Sequence, residues 1–316
     1  MVIPCYNEEE VLPETARVLK ELYADMISEG LIDASSRVVF VNDGSADATW
    51  KVIRELHTGD NLFAGVNLSR NRGHQNALLA GLMTVKEEAD VLISMDADLQ
   101  DDVAVIPEMV RQYLAGFDVV YGVRNSRDTD SFFKRTTAQG FYKLLRMMGV
   151  ESVYNHADFR LMSKRAVDGL EAFGEVNLFL RGMVPMVGYP STSVYYKRKE
   201  RFAGESKYPL KKMVAFAIEG ITSLSVKPLR LITSLGLLVF LVSIVILIYA
   251  LVRHFMGATV TGWTTTVASI WAIGGLVLLS QGVIGEYIGK IYLETKQRPK
   301  YIVESYLNGS DDESNE

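Results

Sequence analysis

Short apolar runs alternate with longer amphipathic stretches over the first 125 residues of the chain. "MVIPCY", "RVVFVND", "LFAGVNLS", "DVLISMDAD" and "DVVYGVRN" are nearly continuous and rich in β-branched residues, which predicts strands buried on both faces. Between the first two, Val11, Leu12, Ala16, Leu19 and Leu22 fall on one face of a predicted helix. Strands separated by helical segments predict an α/β fold, a mostly parallel sheet with helices on both faces. Sheets of this kind bind ligands at the carboxyl ends of their strands. The polar clusters fall there: Tyr6-Asn7-Glu8, Asn42-Asp43-Gly44-Ser45, Ser69-Arg70-Asn71 and Asp96-Ala97-Asp98. Residues 131 to 200 are mixed, with a helical "TTAQGFYKLLRMM", a short "DFRLM" run and a strand-like "STSVYYKRK".

The pattern then changes. In "PLKKMVAFAIEGITSLSV" the residues Leu210, Met213, Val214, Ala217, Ile218, Ile221 and Leu224 keep helical spacing, with Lys211, Lys212 and Glu219 largely off the stripe. A basic amphipathic helix of this kind lies in a headgroup layer, the plainer alternative being an ordinary domain helix. Leu231 to Val252 and Thr264 to Gly285 carry no charge, and each reaches the roughly 20 residues needed to cross a bilayer core. Buried core helices are the other reading of such runs. Lys227 and Arg230 precede the first, Lys290, Lys296, Arg298 and Lys300 follow the second, and "RHFMGATVTGWTT" between them holds one arginine. By the positive-inside rule this predicts a transmembrane hairpin with both flanks cytoplasmic. The predicted division is a cytoplasmic α/β domain over 1–205, an interfacial helix over 206–230, the hairpin over 231–289 and a cytoplasmic tail over 290–316. The tail's last residues, "NGSDDESNE", are acidic and predicted to be disordered.

Composition sharpens this picture. A hydrophobic share of 48% across 316 residues is high for a wholly soluble chain, and the excess sits in the two uncharged runs. A single cysteine, Cys5, rules out an internal disulfide and suits a reducing compartment. A net charge of −5 argues against general nucleic-acid binding. "MVIPCYNEEE" has no basic n-region or long apolar h-region, so no cleaved signal peptide is expected. Almost nothing precedes the first strand-like residues, so either that strand is short or residues are missing before it.

The acidic run "DVLISMDADLQDD" carries the chemistry. Asp96 and Asp98, one residue apart at a strand end, present to the same side. Carboxylates crowded there need a positive partner. Oxygen ligands without histidine or cysteine select a hard cation, Mg²⁺ or Mn²⁺, which also holds phosphate oxygens. The plainer reading is an acidic turn, or an N-cap for the helix after Asp102.

"VIPCYNEEE", "VNDGSADAT", "RNRGHQNAL", "MDADLQD", "ADFRLMSKRA", "FLRGMVPMVGY" and "RFAGESKYPLKK" follow in one order. Together they resemble the family 2 glycosyltransferases of the polyprenyl-phosphate group, relatives of dolichol-phosphate mannose synthase and the bactoprenol glucosyltransferases. The resemblance runs over nearly the whole chain, including the two predicted spans. It implies a GT-A fold and inverting transfer of a sugar, glucose from UDP-glucose first among the candidates, from a nucleotide diphosphate to polyprenyl phosphate on the cytoplasmic leaflet. It further implies that Pro4, Tyr6, Glu8, Asp43, Asp96 and Ala97 bind the nucleotide, with Asp43 accepting from uracil N3–H. Asp98 and Gln100 would ligate Mg²⁺ or Mn²⁺, with Asp96 on the ribose or a metal-bound water. Arg124 and Arg135 would face phosphates, while Arg201, Ser206 and Lys207 would hold the acceptor phosphate or close over the donor. Asp158 matches the family's proposed base; here it is expected to orient the acceptor or stabilise positive charge, with a rival reading as the partner of Arg160. Each assignment has a plainer counterpart: strand-end packing and capping for Tyr6 and Glu8, a tight turn for Asp43-Gly44-Ser45, and a lipid-facing basic surface for "YYKRKER". His74 has no assigned role.

Two departures stand out. Asp102 and Val103 replace the prolines usual after "LQD", and the Gln-x-x-Arg-Trp signature of processive polysaccharide synthases is absent, which disfavours a polymerase. The implied location is the inner or plasma membrane, with lipid and the two substrates as partners and homo-oligomerisation left open. Competing readings are a different donor (GDP-mannose, UDP-GlcNAc or an aminoarabinose type), a non-catalytic membrane scaffold, and a small transporter, which two spans poorly support.

Overall fold

A computed structural model describes residues 1–124, 156–197, 221–222, 225–256 and 262–309. Arg135, Arg201, Ser206, Lys207, the "TTAQGFYKLLRMM" stretch and most of the expected interfacial helix lie outside these residues.

The expected strands form: β1 Val2–Cys5, β2 Val38–Asn42, β3 Phe63–Leu68, β4 Val91–Ser94 and β5 Val119–Arg124. Helices α1 Leu12–Ser28, α2 Thr49–Gly59, α3 His74–Val85 and α4 Ile106–Leu114 separate them. Downstream come β6 His156–Ser163, α5 Lys164–Glu171, α6 Leu180–Met186 and β7 Ser191–Tyr196. The sheet order is β7-β5-β6-β4-β1-β2-β3-β8, where β8 is Val303–Leu307. Pairs among β4, β1, β2 and β3 are parallel, as is β5 with β7, whereas β6 runs antiparallel to both neighbours.

Alternation along each strand divides the core between the two faces of the sheet. Ile3, Val38 and Phe40 pack with Leu12, Leu19, Ile53 and Met109 of α1, α2 and α4. Val2, Val39 and Val41 pack with Leu78 and Leu82 of α3 and with residues of α5 and α6. Gly81 lets α3 lie close on the sheet, since a Cβ there would stand 2.5 Å from methyls of Val2 and Val41.

A proline inside a central strand needs a reason, because it cannot donate to the ladder. Met1 and Cys5 carbonyls accept from Val39 and Asp43 of the β2 side, whereas the Val2 carbonyl accepts from Met95 on the β4 side. Pro4 is in phase with Val2, so its nitrogen faces β4, yet the β1–β4 register holds only the rung Val2↔Ser94. The two strands therefore part beyond Val2. The strand order reverses at this same place, which opens a crevice at the carboxyl edge.

Helices α7 Lys227–Phe255 and α8 Trp263–Lys296 follow. Both contain stretches long and apolar enough to cross a membrane, and neither stretch is buried by the rest of the chain. Within residues 290–316, α8 continues to Lys296 and β8 then returns to pair antiparallel with β3. Glu304 accepts from Asn67, and Glu88 accepts from Tyr306 and Asn308, which pins the returning strand.

Candidate active site

Three loops at the carboxyl edge lock together. After β1, Asn7 donates its amide to Ser45 Oγ at 3.0 Å and accepts from the Ala46 amide at 2.9 Å. Its φ of +55° is the left-handed conformation that asparagine tolerates better than most residues. Glu8 N–H donates to Thr49 Oγ1, and Glu9 accepts from the Ala48 amide, so the β1 loop also holds the start of α2. Gly44 takes φ +60°, and a Cβ there would lie 2.4 Å from the Asn71 nitrogen. The turn after β2 thus sits directly against the loop after β3.

Asp43 makes that junction. Its buried carboxylate accepts from the amides of Arg72 at 2.6 Å and Gly73 at 2.9 Å. Burial raises the Asp43 carboxyl above its ordinary value, against the pull of those two amides. The sequence suggested a contact with a base; the structure adds a task in shaping the 70–73 loop. Tyr6, half exposed at 50%, stands at the same edge.

The carboxylate loop follows β4. Ala97 is buried and its carbonyl accepts from Thr15 Oγ1 at 2.7 Å, fixing the loop to α1. Asp98, 8% exposed, accepts from the Gln100 amide at 3.2 Å, and Leu99 between them takes φ +54°. A left-handed leucine is strained, as at many ligand sites. Asp102 caps the short 3₁₀ turn after it by accepting from the Ala104 amide. The capping reading of the acidic run therefore holds for Asp102, while Asp96 and Asp98 stay at the crevice. Arg124, at the end of β5, donates to Asp101 at 3.1 Å and to the Tyr196 hydroxyl at 3.2 Å. Tyr196 donates to the same Asp101 oxygen, so this trio braces the carboxylate loop.

Asp158 lies on β6, beside β4. Arg160 donates to it at 2.8 Å and Arg181, from the first turn of α6, at 3.0 Å. Asp158 is thus the partner of Arg160, the rival reading of it, and lies close to the residues of the carboxylate loop. His74 Nε2, at the start of α3, is 3.5 Å from Asp96 and 3.6 Å from Asp158, bridging the two carboxylates. Burial works to raise the Asp158 carboxyl, but Arg181, His74 and Arg160 hold it well below the usual carboxylate range. Asp96 behaves oppositely. Desolvation, reinforced by the charges of Asp158, Asp101 and Asp98, lifts it to about 6 despite the pull of His74. His74 is itself raised by Asp158 and Asp96, although burial opposes this.

Such a concentration of carboxylate charge suits a cation, and the donor atoms are oxygens. Among the described residues no three histidine, cysteine, aspartate or glutamate side chains converge on one point. A cation held by Asp98, Asp96 and Gln100 would keep positions open for phosphate oxygens, as Mg²⁺ and Mn²⁺ sites commonly do. His74 and Arg181 were not assigned from the sequence, although "RGHQN" and "FLRGM" were both conspicuous in it.

Residues 1–170 match the glycosyl transferase family 2, and residues 227–291 match the GtrB C-terminal hairpin. The chain is 52% identical over 304 residues to the uncharacterized glycosyltransferase YkoT of Bacillus subtilis (strain 168), covering 96% of this chain and 90% of that one. It is 40% identical over 307 residues to a bactoprenol glucosyl transferase of Shigella phage SfX, covering 96% and 98% respectively. The solved structure of glucosyl-3-phosphoglycerate synthase from Mycobacterium tuberculosis with phosphoglyceric acid aligns at TM-score 0.45 and 18% identity, over 71% of this chain and 77% of that one. With a family 2 match over more than half its length and a GtrB hairpin behind it, the chain belongs to the family 2 glycosyltransferases, in the group that carries this hairpin.

Proposed function

We propose that the protein transfers glucose from UDP-glucose to a polyprenyl phosphate at the cytoplasmic face of the membrane, with inversion at the anomeric carbon. The observation that carries this reading is end-to-end likeness to a bactoprenol glucosyl transferase, through both the carboxylate crevice and the paired apolar helices.

Chemistry at the crevice supports the same reading. An oxocarbenium-like transition state gathers positive charge on the sugar, which nearby carboxylates stabilise. Asp158 is ionised and held by Arg160 and Arg181, so it is a weak proton acceptor and a good fixed negative charge. A phosphate acceptor needs no base, because it is already anionic. Asp158 therefore serves by charge and orientation. A divalent cation at Asp98, with Asp96 and Gln100 beside it, would supply the charge that stabilises the leaving diphosphate. Pro4, Tyr6, Glu8, Asp43 and Ala97 line the nucleotide. Arg124, which also braces the carboxylate loop through Asp101, and Arg135 face the phosphates. Arg201, Ser206 and Lys207 are the residues for the acceptor phosphate.

Purified protein given polyprenyl phosphate and labelled UDP-glucose, UDP-GlcNAc and GDP-mannose tests this reading. The expected product is a β-linked polyprenyl-phosphate glucose from the α-linked donor. Transfer from another nucleotide sugar alone would replace the donor assignment, and an α-linked product would refute inversion.

A further inference from the structure

After the uncharged part of α8 ends at Gly285, the helix runs on to Lys296 and meets the catalytic domain. Glu294, in its last turn, accepts from the backbone amide of Val176 at 2.8 Å, from that of Asn177 at 2.9 Å and from Asn177 Nδ2 at 2.8 Å. Segment 172–179 has no helix or strand of its own to take up those amides. On the other side of the same segment, Lys300 Nζ donates to the Phe173 carbonyl at 3.2 Å. Both anchors come from the chain just beyond the hairpin.

The anchored segment leads straight into the crevice. Leu180 N–H donates to Gln75 Oε1 at 2.8 Å, next to His74, and its carbonyl accepts from Arg160. Arg181 then forks Asp158 with Nε and Nη2. Only a few residues separate the amides gripped by Glu294 from the guanidinium that holds Asp158. A carboxylate on consecutive backbone amides makes charge-assisted bonds, stronger than neutral ones, and it stiffens the turn it grips.

We propose that Glu294 is a positioning residue, hitching the emerging end of α8 to the 176–181 segment and thereby setting Arg181 against Asp158. The crevice is then in register only when α8 is seated, which couples its geometry to the membrane from which the acceptor arrives. This inference rests on the glycosyl-transfer reading above and adds to it a residue far from the reacting atoms.

The test is a double-mutant cycle on the full chain in phospholipid nanodiscs, using Glu294→Ala, Arg181→Ala and the double variant. Glu294→Ala should lower kcat for sugar transfer about tenfold with the KM for the sugar nucleotide within about twofold, the pattern of a lost transition-state arrangement. Glu294→Gln, which keeps one carbonyl oxygen for the amides, should recover to within roughly threefold of the parent. Because the effect passes through Arg181, adding Glu294→Ala to Arg181→Ala should cost less than about twofold more. Losses that multiply in the double variant overturn the proposal, as does a Glu294→Ala variant with parental kcat. If the parent transfers nothing to polyprenyl phosphate, the functional reading fails separately, and hydrogen exchange decides on the hitch. Amides 176–181 exchanging about tenfold faster in Glu294→Ala support it, and unchanged exchange overturns it.

Discussion

Asp158 sits where Arg160, Arg181 and His74 meet, so its ionisation bears on stability as well as on the chemistry proposed for it. Arg160 is 1% exposed, so removing its carboxylate partner leaves a buried charge uncompensated. Breaking such a pair costs about 3–5 kcal/mol. Asp158→Ala should therefore destabilise the domain by that amount in chemical denaturation, and a change below about 1 kcal/mol would contradict the burial argument. Asp98 accepts from the Gln100 amide, a near neighbour in its own loop. Asp98→Ala should abolish sugar transfer while the melting temperature moves by only a few degrees. Asp43 shapes the 70–73 loop, and the proposed function adds a contact with uracil. Losing its charged acceptor should weaken UDP binding by about 1.5–3 kcal/mol, and the 70–73 amides it holds should exchange faster. UDP affinity equal to the parent's in Asp43→Ala would remove the uracil contact and leave only the loop role.

Among the elements, the strand ends and the loops between them explain how far the site could be read from sequence. β1 to β5 announced themselves as β-branched runs, and the polar clusters at their ends do meet at one edge. The insertion of β6 between β4 and β5, and the return of β8 to β3, are pairings between distant segments that no local pattern encodes. His74 and Arg181 escaped assignment for the same reason: each acquires its role only when α3 and α6 bring it to a carboxylate on another strand. At the opposite end of the sheet, Asp118, just before β5, accepts from Arg165 and Ser163. Its bonds to Arg165, followed by Ser163, hold its carboxyl below the ordinary value despite burial. A depressed folded pKa contributes stability that is complete above the unfolded value and is lost as pH falls through the folded one. Asp118→Asn should thus be less stable than the parent at pH 7, and the two denaturation curves should converge below about pH 4. A difference that persists unchanged at acid pH would locate the effect in packing instead.

For the molecule as a whole, the hairpin is the element on which the proposed orientation turns. Basic residues flank both apolar helices on the side of the catalytic domain, and the chain re-enters that domain's sheet through β8. Both ends of the hairpin should therefore face the cytoplasm, with residues 253–266 outside. In a Cys5→Ser background, Thr261→Cys should react with an impermeant thiol reagent on intact cells, whereas Ser310→Cys should react only after lysis. The reverse pattern would refute the hairpin's orientation. The proposed activity is sugar transfer to a polyprenyl phosphate at a cation-dependent carboxylate crevice. Its most direct measurement is the passage of label from UDP-glucose into organic-soluble polyprenyl phosphate by the purified full chain, with and without chelator. The account predicts lipid-linked glucose that disappears on chelation and returns with added Mg²⁺ or Mn²⁺. Undiminished transfer in excess chelator would contradict it.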